Sequence, residues 1–389
     1  MVLVCSTCTM DKPQTETDAY LILNALPEVG PVMATRLLAA FENDILAVFS
    51  ANEKQLCAVK GVGKKSAQSI LDWQQAFDLD KEIQEMQQRE IDYLTYKDKD
   101  YPELLRQLPD APMGLYWQGH YRLDRPCIAI IGTRRATLYG HSVAKRFARE
   151  LAGLGFCIVS GLARGTDTAA HEGAIEGGGK TIAVFGCGLR TIYPAENLAL
   201  YRRILEEGAA VSEFSLAQRA NRQTFPMRNR IVAGMSQAVI VIESDAAGGS
   251  MITARFAGEQ GRQLFAVPGR IDQPSSRGCH QLIRDGAILT TSVDDVLEEL
   301  QYRRQSFQLD LDLAEQQRAQ ESHNIVAGLT EDEASVFAVL GNGEALRPDA
   351  IADSLNIAPW DAGSLLVRLE LKGLILKRVD GCYEARAGL

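Results

Sequence analysis

The chain has 389 residues, 46% hydrophobic and 23% charged, so two or three globular domains are expected and a wholly disordered chain is not. Its formal net charge of −9 argues against a protein that coats nucleic acid with its whole surface, but leaves room for a local cationic groove. No apolar run approaches the ~20 residues of a membrane span, and the first residues, MVLVCSTCTM, lack the basic flank of a secretory signal, so a cytoplasmic protein with no membrane partner is expected.

Residues 1–17 are polar, lack periodicity and read as a disordered leader. Cys5 and Cys8 form a CxxC there, but no second Cys/His pair lies near enough to complete a zinc site, so no metal is expected. Residues 18–90 read as an all-helical domain in which apolar helix, Gly turn and apolar helix occur twice. The second copy, VKGVGKKSAQSI, looks like a helix-hairpin-helix motif, with Gly61 and Gly63 in the turn and Lys64 and Lys65 at the next helix start. The alternative is a small helical domain that keeps this shape for packing or for protein contacts.

IDYLTYKDKDYPELL follows as an extended piece, and PMGLYWQG reads as an edge strand bounded by Pro112 and Gly119. Then the chain alternates. CIAIIG, FCIVSG, KTIAVFG, AAVSEF, QAVIVIES, QLFAVPG and ILTT are strands, separated by helices such as ATLYGHSVAKRFARELAGLG, TDTAAHEGAIEGG and RNRIVAGMS. Strands that are apolar throughout, alternating with amphipathic helices, specify an α/β fold: a doubly wound, mostly parallel sheet covered on both faces over residues 91–300. Cys127, Cys157 and Cys187 sit in or beside these runs as small core residues. Residues 301–324 read as a linker. Residues 325–389 resemble a winged helix, opened by a capping box of Thr330 with Glu333; its second long helix mixes Arg368 and Lys372 with Asp361 and Glu370, which suits protein docking at least as well as duplex binding.

Parallel sheets bind ligands beyond the carboxyl ends of their strands. The residues just after each strand form a consistent set. They are Gly132, Thr133, Arg134 and Arg135, then Ser160, Gly161 and Arg164, with Thr166 or Asp167 expected to cap the next helix. Gly186, Gly188 and Arg190 follow, then the loop SLAQRANRQTFPMRNR with Arg219, Arg222, Phe225, Arg228, Asn229 and Arg230, and last Gly248, Gly249 and Ser250. Glycines let backbone N–H groups approach anionic oxygen, helix N-termini favour negative charge, and arginine supplies forked donors. Five such loops on one edge point to an anionic ligand.

Two cofactor motifs fail. GGGKT has Ala174 where a Walker A loop needs its outer glycine, and it precedes its strand, so Lys180 belongs at the opposite edge of the sheet. GCGLRT lacks the third glycine of a dinucleotide fingerprint, although Glu213 ends the following strand. No cofactor is therefore expected. His171 reads as a core residue, and no catalytic triad, carboxylate pair or HExxH appears, so the ligand is expected to be held and not converted.

The segments IIGTRRAT, IVSGLARGTDTAAH, KTIAVFGCGLRTIYPAEN, FPMRNRIVAGMS, GGSMITARFAGEQGRQLFAVPG and GCHQLIRDGA, in order across residues 127–290, resemble the DNA-processing protein A family (DprA, also called Smf). The resemblance implies an extended Rossmann-like fold, with an N-terminal SAM/helix-hairpin-helix-like domain and a C-terminal winged helix in longer members. It implies a homodimer that binds single-stranded DNA and loads a RecA-type recombinase in natural transformation, with Arg134 on a DNA phosphate. One departure is Ala195, where some members carry Lys after Tyr-Pro. Phe225 and Tyr193 lie in loops suited to stacking on bases or to core packing. The competing readings are a phosphoribohydrolase-like nucleotide-cleaving enzyme, whose glutamate GGSMITARF lacks, and a winged-helix transcription regulator.

Overall fold

A computed structural model describes residues 12–221, 223–300, 329–340, 346–372, 374–378 and 381–385. Most of the expected leader, with Cys5 and Cys8, the expected linker and Arg222 lie outside the described residues. The chain falls into two compact units, Met1–Val296 and Leu297–Leu389.

The first unit opens with seven helices: α1 (Glu16–Ala25), α2 (Pro31–Ala40), α3 (Ile45–Ser50), α4 (Glu53–Cys57), α5 (Lys64–Leu71), α6 (Trp73–Ala76) and α7 (Leu79–Gln88). Helix α1 starts two residues before the expected boundary because Thr15 and Asp18 cap it reciprocally. Gly30 and Gly63 are the N-caps of α2 and α5, so both helix–turn–helix copies form where the glycines place them. Gly61 has φ +92°, and a Cβ there would meet the Arg36 guanidinium at 2.7 Å; the turn needs glycine.

A nine-stranded sheet follows, built from β1 (Ile91–Thr95), β2 (Gly114–Gln118), β3 (Cys127–Ile131), β4 (Cys157–Ser160), β5 (Thr181–Phe185), β6 (Ala209–Ser212), β7 (Ala238–Val241), β8 (Gln263–Ala266) and β9 (Ile288–Leu289). Its order is β1-β2-β6-β5-β4-β3-β7-β8-β9. The strands from β3 to β9 run parallel, whereas β2 pairs antiparallel with both β1 and β6. The expected edge strand is thus interior. The extended piece before it forms β1 and takes the edge, leaving Tyr116 and Trp117 fully buried.

The helices are α8 (Glu103–Arg106), α9 (Leu138–Gly153), α10 (Thr166–Glu176), α11 (Leu198–Glu207), α12 (Thr224–Gly234), α13 (Gly249–Glu259), α14 (Arg277–Arg284) and α15 (residues 293–300). Helices α9, α10 and α11 pack side by side, and α12 packs with α8 and α13. This division follows from right-handed crossovers that run one way from β3 to β6 and the other way from β7 to β9. Alternate residues of β5 serve different cores. Ile182 and Val184 join Cys127, Ala129, Ile231 and Val239, while Ala183 and Phe185 join a core shared with the N-terminal helices, including Tyr20, Leu37 and Leu56. The helical segment and the sheet are therefore one packed body.

In the second unit, α16 (Glu331–Leu340), α17 (Pro348–Leu355) and α18 (Pro359–Leu371) precede the antiparallel pair β10 (Ile375–Lys377) and β11 (Tyr383–Ala385). Leu346 bridges Tyr383, and Val336, Ile351, Leu366 and Leu369 form the core. The capping box of Thr330 with Glu333 is formed, at 3.0 and 3.3 Å. No described helix is long and apolar enough to cross a membrane.

Candidate nucleic-acid interface

The strand order reverses at β3: β4, β5 and β6 lie to one side, and β7, β8 and β9 to the other. A crevice must open between the loops leaving β3 and β7, because their helices cover opposite faces. It is a cavity of about 480 Å³ lined by Gly132–Arg135, Gly161, Asp167, Phe225, Arg228, Asn229 and Gly248–Ser250, among others. A narrower compartment adjoins it, lined by Phe185, Gly186, Cys187, Tyr193, Pro194 and Arg164. The two share Arg134, Gly161, Ala163, Phe225 and Arg228, and so form one continuous cleft.

The loop after β3 is held rigidly. Thr133 N donates to Glu243 O at 2.7 Å, and Thr137 donates its Oγ1 and backbone N to the Glu243 carboxylate at 2.7 and 2.9 Å. A Cβ on Gly132 would lie 2.5 Å from Thr166 Oγ1, so this loop packs directly on the start of α10. Arg134 and Arg135 project from it into solvent. Across the crevice Ser250 donates to Ser244 at 2.7 Å, fixing the turn into α13.

Arg134 turns toward the narrow compartment, its guanidinium carbon 5.0 Å from the centre of the Phe225 ring. Tyr193 stands 5.8 Å from the same ring, inclined at 47°, and is half exposed. Arg228 is buried and donates Nη1 to Val184 O at 2.9 Å. Burial lowers its pKa from the ordinary arginine value, partly offset by Asp167. Burial likewise raises Asp167, against the pull of Arg228 and the N–H groups of Ala163 and Gly161, which donate to Oδ2 at 3.3 and 3.1 Å.

Several expected site residues are elsewhere. Arg230 lies on the far side of α12, buried in an ion pair with Glu213 and donating to Asp110 O at 2.5 Å, so it braces the fold. Helix α12 starts at Thr224, whose N–H donates to Asn221 Oδ1 at 2.9 Å, four residues before the expected helix RNRIVAGMS; Arg228 and Arg230 are helical, as that run predicts, and the helix takes in TFPM as well. Ser160 is fully buried and donates to Ile130 O at 2.7 Å, tying β4 to β3. Gly188 is buried where a Cβ would meet Ser215 O at 2.1 Å; it is a packing glycine outside the cleft. Arg190 pairs with Glu85 at 3.2 Å, and Arg219 is exposed without lining either compartment. Arg164 does line the narrow part, paired with Glu196. Neither Thr166 nor Asp167 caps α10: Gly165 holds that position, Thr166 donates to Thr133 O, and Asp167 reaches back to the β4 loop. His171 is in the core, donor or acceptor to Thr181 Oγ1 at 2.7 Å, and Lys180 pairs with Glu207 at the other edge.

Sequence reasoning missed Glu243, the residue that holds the Arg134 loop; the signal was an acid ending the otherwise apolar run QAVIVIES. It also missed that Asp167 and Asp245 line the crevice.

Known proteins resemble this chain over the same residues. The family described as DNA recombination-mediator protein A matches residues 92–301, and a SAM-like helix-hairpin-helix tandem matches residues 20–72. Protein Smf of Synechocystis sp. is 37% identical over 288 residues, 72% of this chain and 72% of that protein. DNA processing protein DprA of Streptococcus pneumoniae is 43% identical over 208 residues, 53% of this chain and 73% of that protein. The X-ray structure of DprA from Streptococcus pneumoniae superposes with a TM-score of 0.65 at 33% identity, covering 74% of this chain and 99% of the other. The family match spans the whole sheet and both loops of its switch point, and on that ground the chain belongs to the DNA recombination-mediator protein A family, the DprA/Smf proteins.

Proposed function

We propose that the cleft holds single-stranded DNA without converting it, and that the chain, as a cytoplasmic homodimer, protects that strand and delivers it to a RecA-type recombinase. The observation that carries this reading is the position of Arg134: one guanidinium stands between a glycine-rich anion cradle and an aromatic ring. Single strands are gripped in this way, phosphates by cations and backbone N–H groups, bases by rings on which they stack. A duplex keeps its bases stacked inside and offers Phe225 and Tyr193 nothing to pair with. The family's description as a recombination mediator supports delivery to a recombinase. Asp167 supports holding over catalysis, since two backbone N–H groups already occupy its Oδ2. We read the second unit as a winged helix and the α4–α5 turn as a helix-hairpin-helix. Of the expected contacts, Gly132, Thr133, Arg134, Arg135, Gly161, Arg164, Phe225, Arg228, Asn229, Gly248, Gly249 and Ser250 line the cleft and are retained as DNA-facing. Fluorescence anisotropy with labelled single strands and Arg134→Ala tests the reading; unchanged affinity in the variant refutes the site.

A further inference from the structure

Two loops wall the narrow part of the cleft, and neither is held by the sheet alone. Residues 186–194, after β5, bring Gly186, Cys187, Tyr193 and Pro194 to it, and residues 213–221, after β6, lead toward α12 and Phe225. The loops are joined to each other: Gly188 N donates to Gln218 O at 2.9 Å, and Ser212 Oγ donates to Cys187 O at 2.8 Å. Both are then fastened to the N-terminal helices. Glu82 on α7 accepts from Leu216 N at 2.8 Å, and Glu85, one turn on, pairs with Arg190 at 3.2 Å. Asn24 on α1 donates Nδ2 to Glu213 O at 2.6 Å. Leu189 and Leu216 are buried in the core shared with those helices.

Glu82 shows what these contacts are for. It is 7% exposed and forms no ion pair among the described residues, Arg190 being taken by Glu85. A buried carboxylate is costly, and an apolar side chain of the same length would fill its place at less cost. What an apolar side chain lacks is an acceptor for Leu216 N, a buried donor in a loop with no strand ladder of its own. We propose that α7 is a latch on the cleft, in which Glu82, and Glu85 through Arg190, are positioning residues that hold both loops in their DNA-binding arrangement. The proposal rests on the single-strand reading above and gives the helical segment a part in it that needs no DNA contact of its own. An unlatched loop must be ordered when the strand binds, so affinity falls with the fraction of molecules whose wall already stands in place. The sign separates this from plain electrostatics. Removing an acid from the neighbourhood of an anionic ligand strengthens binding where charge alone acts, whereas removing a latch weakens it.

The test is anisotropy with the full chain and a short dT strand, with urea midpoints measured alongside. Glu82→Met should bind about tenfold more weakly, the scale of one hydrogen bond to a charged group. Glu85→Met should bind about threefold more weakly, the scale of one partly exposed ion pair, at an unchanged urea midpoint. Glu82→Gln, which keeps an acceptor for Leu216 N, should return to within about twofold of the parent. Parent affinity or tighter binding in either methionine variant overturns the latch and leaves the single-strand reading standing. A Glu82→Gln as weak as Glu82→Met, or a Glu85→Met whose affinity and midpoint fall together, also overturns it. Should Glu82→Met fail to fold, Glu85→Met decides by the same outcomes. A parent that does not bind the strand overturns both readings.

Discussion

Replacing Gly161 by alanine tests how the site is built, because the new methyl has nowhere to go. Its Cβ would lie 1.3 Å from Arg228 Nη1, 2.2 Å from Cζ and 2.5 Å from Nη2, so the whole guanidinium must leave. Val184 O then loses a charged donor at 2.9 Å, an exchange that costs about 1–3 kcal/mol when the acceptor stays buried. Asp167, buried and with its pKa already raised by desolvation, also loses the nearby cation that favours its ionised form. Together these predict a loss of about 2–4 kcal/mol in unfolding free energy. The displaced side chain enters the cleft, so single-strand affinity should fall as well. Urea denaturation followed by far-UV circular dichroism measures the first effect and oligonucleotide anisotropy the second. A variant within about 0.5 kcal/mol of the parent and with full affinity would refute the buried position of Arg228.

Three more outcomes follow from named contacts. Arg134→Ala should weaken single-strand binding by about 1.5–3 kcal/mol whatever the sequence, and lower the slope of log K against log salt by about 0.7; titrations at three salt concentrations read both. Arg230→Ala should cost about 3–5 kcal/mol of stability, because Glu213 is left buried without its partner; a fully stable variant that has lost DNA binding would return Arg230 to the interface. Burial lowers His171 from 6.5 to about 3, so between those values the unfolded chain takes up a proton that the folded chain does not, and stability falls as pH drops. That loss is about 2 kcal/mol from pH 7 to 5. Asp167 and Glu213, raised by burial, act with the opposite sign, so the measurement is the difference between parent and His171→Gln, whose stability should fall by about 2 kcal/mol less over the same interval.

The parallel strands were legible because burial on both faces leaves them apolar throughout; β3 to β8 lie where their runs predict. Strand β2 was misplaced at the edge for a tertiary reason. Its cover comes from β1 and from helix α1, about 90 to 100 residues earlier, and aromatic composition does not reveal such a partner. The two arginines of FPMRNR look alike in sequence, yet two residues on a helix are about 200° apart. Arg228 accordingly faces the cleft and Arg230 the opposite side, and Glu213 at the end of its strand was the visible clue. Ser160 and Gly188 were drawn into the site by position alone. Strand ends carry both ligand contacts and packing contacts, and only the third dimension separates them.

The most direct test of the central claim compares affinity for a single strand with affinity for the same sequence as a duplex, across a salt titration. Single-strand binding should be at least tenfold tighter, because the stacking contribution of about 1–3 kcal/mol per base is open only to unpaired bases. Equal affinity for both forms with equal salt slopes would mean that phosphate alone is read, and would contradict a cleft built to hold single strands.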